Sequence, residues 1–437
     1  MSMALLVIGC ALLLNGIYQM VKYLIITSEL RSDSLIVQTN PRNHKFHRFI
    51  ILVPVLHEEK TIRTFLHDLS FQDYPKEFFE TYIITTQKEY LSGPKYNTIN
   101  IVSEILAENT LTKLQINKIH YPNSAGFKTD QLDFAFDQIR KNFNESEMKE
   151  TYFLFLDADS ELDTATLTRF NNSIEAGIEI YQQPLLWFKN IDVIKDPIMR
   201  CFAFSQSYFS ISYEIPMYTE RFFPYRLKYF VGHGLCIKGS FLIRTNGLPK
   251  IIEDVRLGRL SSFLKYKTRL VPGFGIVETA KDLPTYIKQS SIWFFGCGLF
   301  ISDYTQTRHL REDNHINLRD IILLTYGFFK AFRWLNKGLF HLTGIILALY
   351  FDLPQILFLY IVSLLINSSF PVILVAINFK KLLREKLTEQ ERRLTLFHAV
   401  IFAPVLYMIN FLGLYYGLIK LFKYYLWGKI SLPKTER

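Results

Sequence analysis

The sequence predicts an α/β protein, with a mainly parallel sheet covered on both faces by helices and apolar segments at both ends of the chain. Three observations point there. From Phe49 onward, short apolar runs alternate with helically spaced segments, each pair within about 30 residues. One run, Tyr152–Leu156, reads as a buried strand and delivers Asp157 and Asp159 where that strand would emerge into a loop. Apolar residues also crowd Met3–Ile26, Leu339–Asn378 and Leu396–Ile419, each able to supply a membrane span of about 20 residues.

In chain order, the first apolar run has no charged segment before it and no small-residue cleavage pattern after it. It reads as a retained anchor over residues 1–27. Lys22, Arg31, Arg42, Lys45 and Arg48 follow with few acids, so the positive-inside rule puts the next domain in the cytoplasm of a multi-pass cell-membrane protein. Residues 28–46 are polar and read as a linker, and an α/β domain is expected over 47–285. FIILVP gives a strand that stops at Pro54, Thr61–Leu69 has helical spacing, and Thr81–Thr86 and Gln115–His120 are further strands. A loop carrying Lys128 and a helix at Leu132–Arg140 precede the strand that ends at Asp157. Ligands of such sheets bind beyond the carboxyl ends of the strands, which is where Asp157 and Asp159 fall. Residues 286–338 are expected as amphipathic helices at the membrane interface. Residues 339–437 are expected as a membrane region with spans at 339–353, 355–378 and 396–419, bent at Pro354, Pro371 and Pro404.

Composition narrows the class. With 49% hydrophobic residues, 38 Phe and 25 Tyr, the chain is too apolar for an ordinary soluble enzyme. Its net charge of +10 sits beside the apolar segments rather than in one aromatic-interleaved stripe, which suits anionic membrane lipids as partners and argues against nucleic acid. The four cysteines, Cys10, Cys201, Cys236 and Cys297, form no C-x-x-C pair and read as free thiols. Few charges within the spans, beside a large α/β domain, disfavour a transporter.

Single motifs leave two readings open. Asp157-Ala158-Asp159 is either a solvated turn or a pair of carboxylates sharing Mn2+ or Mg2+ with the phosphates of a nucleotide sugar. Glu253-Asp254, ahead of a helical pattern, fits a helix N-terminus as well as an acid–base site. The Gly232-His233-Gly234 turn either reverses the chain or lets backbone approach a ligand, and Gln289 and Trp293 share one helical face.

The order of these motifs is more specific than any one of them. Pro54–Glu59 (PVLHEE), Asp157-Ala158-Asp159, Gly232–Gly234, Glu253-Asp254 with Leu257-Gly258, and Gln289–Trp293 recur in this order in a known group. From Phe49 to Gly296 the chain resembles the membrane-bound, processive-type enzymes of glycosyltransferase family 2, which include cellulose, chitin and hyaluronan synthases and ceramide glucosyltransferases. The resemblance implies a GT-A (Rossmann-like) fold and inverting transfer of a sugar from a nucleotide-sugar donor, UDP-linked by expectation, to a lipid or growing glycan, with a part in polysaccharide synthesis. It implies Asp254 as the base with Glu253 orienting it, Asp159 and Asp157 as metal ligands, and Pro54, Glu58, Lys128, Asp157, Gly232, His233, Gln289 and Trp293 around the substrates. Four departures stand out. Ile292 replaces the arginine of Q-x-x-R-W, which bears on processivity and leaves single addition, as in ceramide glucosyltransferases, as the alternative. Thr85-Thr86-Gln87 replaces the base-reading aspartate, His57 stands where asparagine is common, and Phe127 separates Gly126 from Lys128. A catalytically inactive nucleotide-binding scaffold in an export complex is the reading from another class.

Overall fold

The computed structural model describes residues 2–31, 45–92, 97–108, 114–311 and 315–428. Most of the expected linker, with Arg42 in it, lies outside the described residues.

The centre is a seven-stranded sheet built from β1 (Phe49–Pro54), β2 (Phe79–Thr86), β3 (Gln115–Tyr121), β4 (Tyr152–Phe155), β5 (Ile180–Gln182), β7 (Leu235–Lys238) and β8 (Thr268–Leu270), in the order β3-β2-β1-β4-β7-β5-β8. Only β7 runs antiparallel to its neighbours. The short strands β6 (Leu185–Leu186) and β9 (Gly275–Ile276) pair separately, in parallel. Because successive side chains on a strand point to opposite faces, β1 divides its apolar residues between two cores. Phe49, Ile51 and Val53 pack with Ile62, Phe65, Leu66 and Leu69 of one helix, while Ile50 and Leu52 pack with Leu132, Phe136 and Ile139 of another. β4 does the same, Phe153 and Phe155 on one side, Tyr152 and Leu154 on the other. Burial on both faces is why these strands read as unbroken apolar runs.

The expected strands and helices form, with boundary shifts. The helix expected at Leu132 begins at Lys128, because the Asp130 carboxylate accepts the Phe127 amide at 2.6 Å and caps the first turn. Lys128 is therefore a helix residue, not a loop residue. The helix after Ile252 runs Glu253–Phe263, with both acids in its first turn.

Among the described residues, three helices are long and apolar enough to cross a membrane: Ser2–Arg31, Pro354–Asn378 and Glu389–Trp427. Gly9 and Gly16 let the first approach the second, since added side-chain carbons there would lie 2.8 Å from Leu359 and 2.5 Å from Asn367. Pro354 starts a helix, the chain breaks at Ser368 ahead of Pro371, and Pro404 lies inside the helix Glu389–Ile409. Leu318–Tyr350 is one helix of 33 residues and runs uninterrupted past 338, where the sequence divides interfacial from spanning parts. Lys22 does not flank the first helix. It is buried within it, its ammonium bonded to Gln19 and lying over the rings of Tyr18 and Tyr213.

The helix Glu253–Phe263 is tied down by charge. Asp303, fully buried on Phe300–Leu310, accepts from Arg256 Nε at 2.5 Å and from Arg259 at 2.8 Å. Removing one member of such a buried group strands the remaining charges. Asp303→Ala is expected to destabilise the protein by about 3–5 kcal/mol, measured by denaturant unfolding in detergent; an unchanged midpoint would refute the anchoring role.

Candidate active site

The sheet brings together at one end what the sequence scatters. β1 ends at Pro54 and β4 delivers Asp157 and Asp159, the two strands paired in parallel. The glycine turn is pinned beside them: the Gly234 amide donates to the Phe155 carbonyl at 2.9 Å, and the Gln182 side chain donates to the His233 carbonyl while accepting from the Val231 amide. His233 Nδ1 accepts the Asp157 amide at 3.2 Å, which leaves the proton of a neutral ring on Nε2. Gly234 sits at φ +65°, and a side-chain carbon there would fall 2.9 Å from Gln183.

Two helices supply the remaining charges. Lys128, at the start of its helix, donates to Asp157 Oδ1 at 2.6 Å, and Thr129 donates to Glu253 Oε2 at 2.5 Å. Glu253 and Asp254 open their helix after Ile251 and Ile252, two β-branched residues at φ +66° and +55°. Such a pair is strained and persists only under strong outside restraint. Gly258, one turn on, supplies part of that restraint, because a side-chain carbon there would lie 2.3 Å from Tyr229 Cα. Gly232 lies between Asp254 and Lys128, so that an added carbon would stand 3.2 Å from Asp254 Oδ2 and 3.4 Å from Lys128 Nζ.

Electrostatics follow from this crowding. Burial and the neighbouring Glu253 carboxylate push Asp254 up to about 7, against the pull of Lys128 and the Val255 amide. Burial disfavours the Lys128 charge, yet Asp157, Glu253 and Asp254 together outweigh it and hold the ammonium above the usual lysine value.

Pro54, Glu58, Lys128, Asp157, Asp159, Gly232, His233, Glu253, Asp254 and Trp293 all line one cavity of about 1000 Å³. Trp293 packs edge-on against Trp187, with ring centres 5.8 Å apart. Gln289 is not brought to the site: it is buried outside the lining, and its Oε1 has no hydrogen-bond partner among the described residues. Tyr286, Ser290, Ile292, Trp293 and Cys297 are the residues of that helix that face the cavity. The Lys189 ammonium donates to the Asp159 carbonyl, a contact no motif announces.

Two places have the chemistry for a cation. Asp157 and Asp159 offer hard carboxylate oxygens to the cavity, a donor set that fits Mg2+ or Mn2+ shared with phosphate. His57, Glu59 and Glu89 each bring one ligand atom within 4.8 Å of the others, at the ends of β1 and β2. His57, which adopts φ +58°, and Glu59 belong to the PVLHEE motif, whereas no motif announces Glu89.

Neither a protein-family profile nor a curated protein matches the sequence. Solved structures do. Over 97% of its length the chain is similar to the mannosyltransferase PcManGT from Pyrobaculum calidifontis, solved in complex with GDP-Man and Mn2+, covering 99% of that chain at 14% identity and a TM-score of 0.53. The α/β domain has the GT-A fold. Residues 1–349 of S. aureus TarS are similar at 13% identity and a TM-score of 0.42, over 89% of this chain and 98% of that one. The likeness to the mannosyltransferase thus takes in the GT-A domain and the apolar helices together, with candidate spanning helices near both ends of this chain.

The raised Asp254 carboxyl makes a stability prediction. Between its ordinary 3.8 and about 7 the native chain holds a proton that the unfolded chain has lost, so stability falls as pH rises through that window and levels off above it. Asp254→Asn is expected to remove this slope and to be the more stable protein at pH 8, on the order of 2–4 kcal/mol. Parallel pH–stability curves for variant and wild type would count against a shifted Asp254.

Proposed function

We propose that the protein is a metal-dependent membrane glycosyltransferase that moves a sugar, with inversion, from a nucleotide-sugar donor to a lipid or glycan acceptor at the cytoplasmic face. One observation carries this reading: a single cavity holds the Asp157–Asp159 pair, Lys128 and the Glu253–Asp254 pair at the carboxyl ends of parallel strands, and continues among apolar helices. The GT-A fold, shared with a mannosyltransferase solved with GDP-Man and Mn2+, supports the same chemistry. We read the chain as an anchor (1–27), a linker (28–46), a catalytic domain (47–285), interfacial helices (286–338) and a C-terminal membrane region (339–437), with the helix Leu318–Tyr350 crossing the last boundary.

Asp157 and Asp159 would hold the divalent ion, which when bound supplies positive charge to the leaving diphosphate. Lys128 adds a fixed ammonium on the same side. Asp254 accepts the acceptor hydroxyl's proton as that oxygen bonds to the anomeric carbon; the bond from that carbon to the diphosphate breaks, and its electron pair leaves with the nucleoside diphosphate. Glu253, held by Thr129, orients Asp254, and burial together with the Glu253 charge keeps that carboxyl basic enough for the task. Trp293 offers a flat apolar face to a sugar ring. The donor sugar and base are open between UDP- and GDP-linked substrates.

A second reading within the class is single addition to a lipid, as in ceramide glucosyltransferases. It is favoured by Ile292, which lines the cavity where an arginine would bring a permanent cation. A product ladder on a sizing gel would exclude it.

Asp254→Asn is expected to lower kcat by about 10²–10⁴-fold and Asp159→Ala by about 10²–10³-fold, each with normal membrane levels. The substrate assay is a panel of labelled nucleotide sugars with Mn2+. The protonated Asp254 cannot act as base, so kcat/KM rises with pH along an acidic limb at or below about 7, a bound cation drawing the carboxyl towards ionisation. Full activity in either variant sinks the assignment.

A further inference from the structure

Below the acidic site the same cavity continues between helices, and its lower arm is basic. Lys330, Arg333 and Lys337 line it from one face of Leu318–Tyr350, at i, i+3 and i+7, spread over about 10 Å of helix. None of the three forms a salt bridge with a described residue. Their contacts are neutral instead. Lys330 Nζ lies 4.5 Å and 4.3 Å from the ring centres of Tyr213 and Tyr229, Lys337 Nζ lies 4.9 Å from that of Tyr407, and Arg333 donates to Asn15 Oδ1 at 3.0 Å. The carboxylate facing this arm, Glu214, has both oxygens engaged, accepting from Ser210 at 2.8 Å and from Tyr229 at 2.9 Å. Buried Lys22, on the N-terminal helix, adds a further cation against Tyr213.

Three cations and one carboxylate on the walls of this arm, among apolar helices, leave an excess of positive charge where uncompensated charge is costly. A site of that kind is matched by an anion that brings several acceptor oxygens, and guanidinium and ammonium groups suit phosphate. The surroundings fix what carries the phosphate. The cavity reaches the helix break at Ser368 and is bordered there by Ile366, Pro371, Ala403 and Leu406, an apolar margin suited to a hydrocarbon chain. At its other end, Tyr229 adjoins Phe230, whose amide donates to the Asp254 carbonyl at 3.2 Å. A group held at Lys330 thus lies next to the segment that supports the base.

We propose that the lower arm binds the phosphate of an acceptor lipid in which an apolar tail is joined through that phosphate to a hydroxyl-bearing head. The phosphate is a handle rather than the nucleophile: Lys330, Arg333 and Lys337 hold it, and the head's hydroxyl reaches Asp254. This acceptor class rests on the transferase reading above.

Dodecyl phosphate carries the two features the arm recognises and serves as the probe, with dodecanol and inorganic phosphate as controls, on the full chain in detergent. Saturable binding of dodecyl phosphate is expected, and Arg333→Gln and Lys337→Gln should each weaken it about tenfold, whereas Arg333→Lys retains most of it. Asp159→Ala should bind dodecyl phosphate as wild type does while losing Mn2+-dependent binding of GDP- or UDP-sugars. Equal binding by wild type and both Gln variants, or dodecanol binding as tightly as dodecyl phosphate, overturns the phosphate handle. Inorganic phosphate competing on equal terms overturns the lipid. Dodecyl phosphate binding in a wild-type chain that binds no nucleotide sugar with Mn2+ overturns the acceptor role along with the transferase reading.

Discussion

Asp157, Glu253 and Asp254 come from segments almost a hundred residues apart, and the ammonium of Lys128 stands among their carboxylates. Its 2.6 Å contact with Asp157 joins the end of β4 to the helix Lys128–Ile139, and Thr129, the next residue, joins that helix to Glu253. Without this cation the three carboxylates would repel one another in a partly buried space, and the cheapest response would be protonation rather than ionic chemistry. Even with it, Asp254 stays protonated up to about 7. The arrangement therefore holds one carboxyl near the threshold where it can accept a proton, and keeps its neighbours compensated.

Holding that arrangement requires support from behind. Ile251 and Ile252 bring the chain into the helix Glu253–Phe263 through a left-handed pair that β-branched residues resist. The opposing restraint comes from the helix itself. Gly258 allows it to lie against Tyr229 with no room for a side chain, and Arg256 and Arg259 clamp it to buried Asp303. The strain falls on the two residues directly before the acids, so a relaxed backbone there would re-aim Asp254 away from Gly232 and Lys128.

Much of this is legible in the sequence, and the misses have physical causes. Strands β1 and β4 show themselves because both faces are buried and no polar residue interrupts them. The aspartates after β4 emerge from the same run. Lys128 reads as a loop residue because its helix starts on a side-chain cap from Asp130 and not on apolar periodicity. Gln289 and Trp293 do share one helix, but spacing cannot say which part of that helix meets the cavity, and Gln289 does not. Lys330 and Arg333 read as interfacial cations. Their distinguishing property is that neither forms a salt bridge with a described residue, which only the packing of several helices reveals. Likewise Lys22 looks like a flanking charge because sequence adjacency to an apolar run resembles position at a membrane surface, whereas the aromatic rings of Tyr18 and Tyr213 hold it inside.

The two halves of the cavity carry opposite charge, and that polarity has consequences for any reaction between two phosphate-bearing substrates. In the proposed reaction, a divalent cation at Asp157 and Asp159 would offset the repulsion between those carboxylates and a donor diphosphate, so the upper half would favour a donor that arrives with metal. A phosphate without metal meets repulsion there and attraction beside Lys330, Arg333 and Lys337. Under that proposal the field would sort the two anions before any shape-specific contact forms, along one axis from the apolar helices to the ends of β1 and β4. Between the two lies Asp254, where an acceptor held from below and a donor held from above would bring hydroxyl and anomeric carbon together.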